Sequence, residues 1–345
     1  MTSPKADIGG EITIRLQVVT GKVSSVDIAS SRLPDMSRMF LGRTPEQVLP
    51  LIGTVFSLCG KAQTIAGLQA TESALGLRVS RAQHAARDML RLAEMLTQTA
   101  WRLCLNWPQA LNLPPDPALP RLALAAEGQF EQALFGGAGW KSVGGAALEL
   151  DAKGIAKVIE TLQSGIRSLT AHGGLAAQLR DGIAAAGLDG FGALPMNATP
   201  EAGALSRQWH NPEVNSLRKN GAGLAARLAA SLADLNEIAS ALSLASATLA
   251  SDHPKTLPQV IFGSGDATVM TARGPLKHAV TLRDGVYAAY EINAPTEGNF
   301  APNGPVVAGL IGADATDAAA LTKAAMLHIL AIDPCIRYSV EVDHA

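Results

Sequence analysis

The chain has 345 residues, of which 48% are hydrophobic, so it can bury a substantial core in one large domain or two. Its formal net charge is −2 and only 17% of its residues are charged. It therefore lacks the basic surface expected of proteins that bind nucleic acids or anionic membranes. Its three cysteines are too few for the disulfide framework of a small secreted protein.

The N-terminal part is predicted to form a β-hairpin followed by helices. Apolar and polar residues alternate over positions 11–28 around a Thr-Gly-Lys turn, which is typical of a hairpin. Thr44 followed by Pro45 marks the start of a helix. This helix should stop before Cys59 and the next should begin just after Gly60, so we expect Cys59 at a helix junction.

Helical spacing of apolar residues dominates the centre of the chain. A long buried helix is predicted over 81–107, followed by a Pro-rich surface loop at 113–120. Further helical patterns cover 153–188 and 215–250, and Gly- and Pro-containing stretches such as 187–200 interrupt them.

After Pro254 the pattern changes to short strands and turns. The predicted elements are an apolar stretch at 260–262, a turn at 263–266, a hairpin that pairs 277–281 with 287–292, and a helix at 317–330. This last helix should deliver an Asp-Pro-Cys sequence that ends at Cys335.

The N-terminal residues contain no apolar signal core, and no run of 18 uninterrupted apolar residues follows. We therefore expect a cytoplasmic protein that has neither nucleic acid nor membrane as a partner. We expect one domain over 1–345, with a helical core at about 45–250 and a β/helix region at about 255–345.

Two single cysteines occur in sequences that a known class of metal enzymes carries as cysteine pairs. Residues 57–62 read Ser-Leu-Cys-Gly-Lys-Ala, and residues 333–341 read Asp-Pro-Cys-Ile-Arg-Tyr-Ser-Val-Glu. Together with Met-Phe-Leu-Gly-Arg-Thr-Pro at 39–45 and Ala-Arg-Gly at 272–274, they resemble the large subunit of nickel-iron hydrogenases along nearly the whole chain. The resemblance implies a mainly helical α+β fold, with a bundle of long helices and small flanking β-hairpins.

The departures from this family decide which function the resemblance implies. In the family, the second cysteine of each motif bridges nickel and iron, but here Ala62 and Tyr338 occupy those positions, and Glu341 replaces the terminal histidine. The chain is thus similar to HupK/HoxV-type hydrogenase expression and formation proteins. That similarity implies a non-catalytic scaffold that holds iron transiently as Fe(CN)2(CO), without nickel, and transfers it to the hydrogenase large subunit. A HypC/HupF-type chaperone and a HypD-type iron-loading protein are the other implied partners.

The resemblance also assigns roles to individual residues. Cys59 and Cys335 are the expected iron ligands, although two unrelated buried thiols, or one thiolate shared with a partner's thiolate, are the alternatives. Arg273 would donate N–H groups to cyanide, or else be a solvated loop residue. Thr296 would donate its hydroxyl to the other cyanide, or simply form a turn. Lys61 would lower the thiol pKa of Cys59, or point to solvent.

The C-terminal residues are open to several interpretations. Tyr338 is expected to fill the volume left by the missing cysteine. Glu341, Asp343 and His344 would either join a metal site or form an ordinary polar terminus. Because transfer between proteins needs a reachable pocket, we expect the tail to be mobile or exposed to partners. Cys104, in the long helix, is expected to be a core residue.

Two rival functions remain at this point. One is a diverged redox enzyme with a mononuclear iron site. The other is a metal-free structural homologue of the large subunit, which would keep the fold but have no use for the two cysteines.

Overall fold

The computed structural model describes residues 10–31, 36–136, 139–195, 197–257 and 262–344. The strands in this part of the chain are β1 (Glu11–Val19), β2 (Lys22–Ser30), β3 (Gly263–Thr271), β4 (Gly274–Arg283), β5 (Val286–Asn293) and β6 (Arg337–His344). The α-helices are α1 (Pro45–Val55), α2 (Gly60–Ala74), α3 (Arg81–Trp101), α4 (Trp107–Leu111), α5 (Ala118–Phe135), α6 (Ala152–Thr170), α7 (Leu175–Ala185), α8 (Ala204–Arg207), α9 (Pro212–Lys219), α10 (Leu224–Ser246), α11 (Pro295–Asn299), α12 (Pro305–Leu310) and α13 (Ala318–Ile332). The predicted α+β, mainly helical fold is confirmed.

One sheet joins the N-terminal hairpin to the C-terminal strand, in the order β2-β1-β6. β1 buries every second side chain from Ile12 to Val18, as its alternating pattern predicts. Thr20 and Gly21 connect β1 to β2 with φ of 49° and 75°, which is characteristic of a two-residue type I′ turn. The predicted hairpin is therefore confirmed.

The third strand of this sheet overturns the expectation of a mobile C-terminal tail. β6 lies parallel to β1, and its register places Tyr338 opposite Ile12 and Glu341 opposite Arg15. The Arg15 Nε donates a hydrogen bond to Glu341 Oε2 at 2.8 Å. Residues 337–344 are thus paired along their length with β1, so the mobile alternative is wrong, because no local pattern shows such pairing. The other alternative, exposure to partners, is compatible with the structure, since β6 is an outer strand of the sheet and Arg337, Glu341 and Asp343 are exposed.

The second sheet has the order β3-β4-β5, and all its strands are antiparallel. The predicted hairpin through Asp284 and Gly285 is confirmed, with φ of 51° and 81° at these two residues. The predicted turn at 263–266 is wrong, because these residues begin β3. A Cβ at Gly265 would lie 2.2 Å from the backbone nitrogen of Ala74, so this glycine serves the close packing of β3 on α2. Most of the apolar stretch at 260–262 lies outside the described residues.

The long central helix is confirmed. α3 leads through a π-helical segment, Arg102–Asn106, into α4, and its buried face contributes to the largest hydrophobic core. The expectation of a surface loop at 113–120 is only partly correct, because α5 already begins at Ala118. Prolines are tolerated in a first helical turn, since the N–H groups there have no partner within the helix.

A second hydrophobic core lies between the β2-β1-β6 sheet and helices α12 and α13. The predicted final helix is confirmed as α13, with Asp317 as its N-cap. Among the described residues, no single helix is both long and apolar enough to cross a membrane. By length and composition alone, α1 and α2 pass that test as a pair, but they meet at a bend of 95°.

Candidate iron-binding site

Cys59 lies at the bend between α1 and α2, as predicted. A short 3-10 turn, Ser57–Cys59, connects the two helices, and Cys59 is the N-cap of α2. The helices approach very closely here, because a Cβ at Gly60 would lie 2.7 Å from the carbonyl oxygen of Gly53. The glycine after the cysteine therefore allows the tight bend that presents the sulfur.

Cys335 is reached from the other end of the chain. α13 ends at Ile332 and is capped by Asp333, which has a left-handed φ of 65°. The chain then passes through buried Pro334 to Cys335 before β6 begins. Asparagine and aspartate tolerate this conformation better than other non-glycine residues. The Asp-Pro-Cys sequence thus turns the chain sharply between a core helix and a sheet.

The two cysteines line one cavity of about 110 Å³. Arg273 and Thr296 line it as well, so the structure brings together four of the five residues that the sequence analysis selected. The volume is several times the ~10–15 Å³ that one water molecule needs, so there is room for more than a single atom.

Burial controls the protonation of Cys59. It raises the pKa of this thiol to about 12, and Glu94 and Cys335 act in the same direction, while Arg273 and a hydrogen bond from Gln63 oppose them. Cys59 is therefore a protonated thiol near neutral pH unless a cation takes the place of the proton.

Arg273 is the cation that faces the two sulfurs. It lies in the turn between β3 and β4 and is only 6% exposed. Its Nη1 donates to Gln98 Oε1 at 2.9 Å and its Nε to the Asp333 carbonyl oxygen at 3.1 Å. Burial alone would lower the pKa of Arg273, but Asp333 and the two cysteines outweigh burial and raise it. The guanidinium is thus a fixed positive charge in the wall of the cavity.

The Asp333 carboxylate holds Arg273 in place together with a second buried arginine. Asp333 Oδ2 lies 2.9 Å from Arg102 Nη1 and 3.3 Å from Arg273 Nε. The turn that carries Arg273 is held from its other side by Arg207, which donates to the carbonyl oxygens of Thr271 and Ala272. Contacts from Gln98 and Asp333 therefore fix the guanidinium of Arg273, and Arg207 fixes the turn that carries it.

Thr296 is placed against Cys335. Its hydroxyl donates to Cys335 Sγ at 3.3 Å, and it accepts from the Cys335 N–H at 3.4 Å. Thr296 is in the first turn of the short helix α11 and is 7% exposed. It orders the loop that carries the second sulfur.

Lys61 is not placed as expected. Its ammonium lies 3.4 Å from Glu127 and 3.6 Å from Glu131, both on α5. Arg273, and not Lys61, supplies the positive charge that lowers the pKa of Cys59. The backbone of Lys61 contributes in another way, because its N–H donates to Glu94 Oε1 at 2.7 Å at the start of α2.

The positions that differ from the hydrogenase motifs are absorbed into the framework. Ala62 is fully buried and its N–H donates to Glu94 Oε2 at 3.0 Å. Tyr338 packs against the second hydrophobic core, where its hydroxyl donates to the Met326 carbonyl oxygen at 3.4 Å, so it does not fill the cavity as expected. Within the described ranges, no group of three or more His, Cys, Asp or Glu side chains could hold a metal ion.

Sequence reasoning missed the polar residues behind Cys59. Gln63 Nε2 donates to Cys59 Sγ at 3.6 Å, and Gln63 Oε1 lies 2.8 Å from His278 Nε2. His278 is completely buried. The one available signal was the spacing of Cys59 and Gln63, which are four residues apart and therefore neighbours on a helix face.

Comparison with known proteins supports the resemblance over the full chain. Hydrogenase expression/formation protein HupK of Rhizobium leguminosarum bv. viciae is 29% identical over 97% of both chains, and HupK of Bradyrhizobium diazoefficiens is 28% identical, also over 97% of both. Protein HoxV of Cupriavidus necator is 42% identical over 20% of this chain and 19% of its own. No protein-family model matches the sequence.

Solved structures identify the fold. The reduced nickel-iron-selenium hydrogenase of Desulfovibrio vulgaris Hildenborough superposes with a TM-score of 0.73 at 15% identity, covering 92% of this chain and 94% of the hydrogenase chain. The reduced, active enzyme from Desulfomicrobium baculatum gives 0.71 at 15% identity, over 93% and 95%. The fold is that of a nickel-iron hydrogenase large subunit.

Proposed function

We propose that this chain, which is similar over nearly its whole length to proteins named as hydrogenase expression/formation proteins, acts in hydrogenase maturation as a non-catalytic iron carrier. In this proposal Cys59 and Cys335 hold an Fe(CN)2(CO) unit without nickel, and the protein then passes it to the hydrogenase large subunit. The observation that carries the proposal is that two lone cysteines, from opposite ends of the chain, line one cavity beside a buried arginine.

The donor set suits a cargo that must leave again. Thiolates are soft ligands that bind iron strongly, but two of them give fewer anchors than the four cysteines of a hydrogenase large subunit. Each thiol loses its proton when it becomes a ligand, and the proton goes to solvent. Because burial raises the pKa of Cys59 to about 12, reprotonation of its sulfur favours release.

Arg273 and Thr296 account for recognition of the diatomic ligands in this proposal. Cyanide bound to iron is an anionic acceptor, and a buried guanidinium stabilises it through charge-assisted hydrogen bonds. The single O–H of Thr296 donates to Cys335 Sγ in this structure, so it would have to turn from the sulfur to a cyanide when the iron unit binds. Arg273 keeps donor capacity toward the cavity, because a guanidinium has five N–H donors in a fixed geometry.

The expected partners are a HypC/HupF-type chaperone, a HypD-type iron-loading protein and the hydrogenase large subunit. They follow from the maturation role and from the need for a source and an acceptor of the iron unit. In a second form of the complex, iron is held by one thiolate of this chain and one thiolate of a partner. Two sulfurs do not fill the coordination sphere of iron, so ligands from two proteins can share it.

The test is infrared spectroscopy and metal analysis of protein purified without oxygen after co-production with the maturation proteins. We expect cyanide and carbonyl bands, iron and no nickel. Cys59→Ala and Cys335→Ala should each lose the bands, whereas Cys104→Ala should keep them, because Cys104 is buried outside the cavity.

Three results would overturn the proposal. Bands that persist in both cavity variants would place the iron elsewhere. If the wild-type protein carries no iron and the same two variants still support hydrogenase maturation, the metal-free structural homologue is correct. Nickel in the purified protein together with hydrogen uptake would instead identify a redox enzyme.

A further inference from the structure

Behind Cys59 lies a chain of buried hydrogen bonds that no part of the proposed carrier role requires. It runs from Cys59 Sγ through Gln63 and His278 to the hydroxyl of Tyr290, which lies 2.9 Å from His278 Nδ1. Gln63 is 3% exposed, His278 is completely buried and Tyr290 is 5% exposed. We propose that this chain of hydrogen bonds positions Cys59. Gln63 presents an N–H to the sulfur, and His278 fixes the orientation of the Gln63 amide.

The location of His278 argues that it is there for its hydrogen bonds. β4 turns Leu276, His278, Val280 and Leu282 toward the core, so His278 occupies a position otherwise given to large apolar residues. A polar ring costs free energy at such a position unless both nitrogens are bonded. Both nitrogens of His278 have a partner, one on α2 and one on β5.

The donors and acceptors of the chain can be assigned in order. The Gln63 amide nitrogen faces Cys59, whose sulfur can accept its N–H both as a thiol and as a thiolate. Its carbonyl oxygen then faces His278, whose Nε2 must carry the proton. The Nδ1 is left as an acceptor for the Tyr290 hydroxyl. Every step follows from the one before, so the tautomer of His278 reports the orientation of Gln63.

His278 acts in this chain as a neutral ring. Burial lowers its pKa to about 3, so it carries no charge near neutral pH and adds none beside the cavity. The titratable and charged groups that face Cys59 itself are Arg273, Glu94 and Cys335. The chain can therefore orient the sulfur without changing the charge balance that these three groups set.

Aromatic packing holds the far end of the chain rigid. The Tyr290 ring packs edge-on against Phe40 and Tyr287, with centroid distances of 5.0 Å in both cases. The Tyr287 hydroxyl is in turn 2.7 Å from Thr71 Oγ1, which donates to the Gly67 carbonyl oxygen of α2. The helix that carries Gln63 is thus tied to β5, the strand that also bonds His278. This pre-organisation is what a positioning role requires.

The inference rests on the proposed function only for what Cys59 holds. The first test reads the tautomer directly, by nitrogen-15 NMR of the full-length, metal-free protein with labelled histidine, with the His278 signal assigned by its loss in His278→Gln. We expect a neutral ring protonated on Nε2. Protonation on Nδ1 would reverse the chain, place the Gln63 carbonyl against the sulfur and overturn the inference.

The second test measures iodoacetamide alkylation of Cys59 and Cys335 in the same molecules, by peptide mass spectrometry. Gln63→Met removes the N–H donor at nearly constant volume. Loss of this donor should make the thiolate fraction of Cys59 about tenfold smaller. Because the remaining thiolate is more nucleophilic, the alkylation rate of Cys59 should fall only about threefold. Cys335 should be unchanged. If Gln63→Met does not fold, Gln63→Leu, which also removes the N–H donor without adding charge, takes its place. Tyr290→Phe should give a smaller slowing of the same sign.

Thr296→Val is the matched control, because Thr296 donates to Cys335 in the way that Gln63 donates to Cys59. It should alter alkylation of Cys335 and leave the Cys59 rate unchanged. Faster alkylation of Cys59 in Gln63→Met, or equal changes at both cysteines, would mean that Gln63 only supports packing and would overturn the inference. Neither test depends on iron, so the inference and the carrier proposal can fail separately.

Discussion

Asp333 provides a sharp test of how the cavity wall is held together. Its carboxylate lies between two buried guanidinium groups, 2.9 Å from Arg102 Nη1 and 3.3 Å from Arg273 Nε. Asp333→Asn is the appropriate change because asparagine also tolerates the left-handed φ of 65° at this position. The variant therefore removes the negative charge while keeping the backbone turn.

The expected magnitude follows from the burial of the two arginines, since the Asp333 side chain between them is only 14% exposed. With an effective dielectric constant of 20, charges at these two distances attract by about 6 and about 5 kcal/mol before desolvation is counted. Desolvation offsets most of this in the intact cluster, but the arginines stay buried when the aspartate charge is lost. Removing one partner of a buried pair typically costs about 3–5 kcal/mol, and we expect a loss of that size in the free energy of unfolding.

The assay is urea unfolding followed by tryptophan fluorescence, with the midpoints compared at constant slope. A loss of about 3–5 kcal/mol moves the midpoint down by about 1 M for a protein of this size. Asp266→Asn is the matched control, because its ion pair with Lys277 is exposed and worth less than about 1 kcal/mol. If the two variants shift the midpoint equally, the buried cluster does not hold Arg273 and the reasoning is refuted.

Three further predictions test other parts of the structure. Burial raises the pKa of Glu94 to about 7, so the folded state binds more protons than the unfolded state between about pH 4.5 and 7. The free energy of unfolding should therefore fall as pH rises through that window, and Glu94→Gln should remove this slope in urea titrations. Lys61→Met should leave alkylation of Cys59 within about twofold of wild type, because the Lys61 ammonium is paired with α5; a larger slowing would restore its predicted role. Gly265→Ala should lower the free energy of unfolding by more than about 2 kcal/mol, because the new Cβ would meet the α2 backbone at 2.2 Å. Gly128→Ala in α5 is the control, since its Cβ would meet nothing within 4 Å and the change should be neutral or stabilising. Thermal or urea unfolding of the two variants checks this. If both change the free energy of unfolding equally, the packing argument is wrong.

Much of the fold was predictable because its signals are local. Strand alternation and a Thr-Gly turn predict the β1-β2 hairpin, and a Thr-Pro start predicts α1. The prediction of a helix junction at Cys59 and of a helix leading to Cys335 rests on the same kind of signal, namely glycine and proline at helix ends. These local features were sufficient to place both sulfurs at the ends of rigid elements.

The features that were missed depend on contacts between distant segments. The partner of β6 is β1, more than 300 residues earlier, so no local pattern in the sequence predicts that residues 337–344 form a strand of this sheet. The link between Gln63 and His278 joins a helix to a strand more than 200 residues later. Lys61 was assigned to its sequence neighbour Cys59, although a long side chain at a helix start can reach a neighbouring helix instead.

In the hydrogenase-like motifs, the positions that keep a cysteine reach the cavity, whereas Tyr338, where a cysteine is missing, does not. The backbone explains this difference. Cys59 and Cys335 lie where the chain turns between elements, so their sulfurs reach the cavity. Tyr338 lies within β6 opposite Ile12, and its side chain packs with the second hydrophobic core. A cysteine substituted at 338 would be held by the same strand register on the side of that core. Restoring the missing cysteines by substitution alone is therefore insufficient to rebuild a four-sulfur site, because the strand that carries one of them would first have to leave β1.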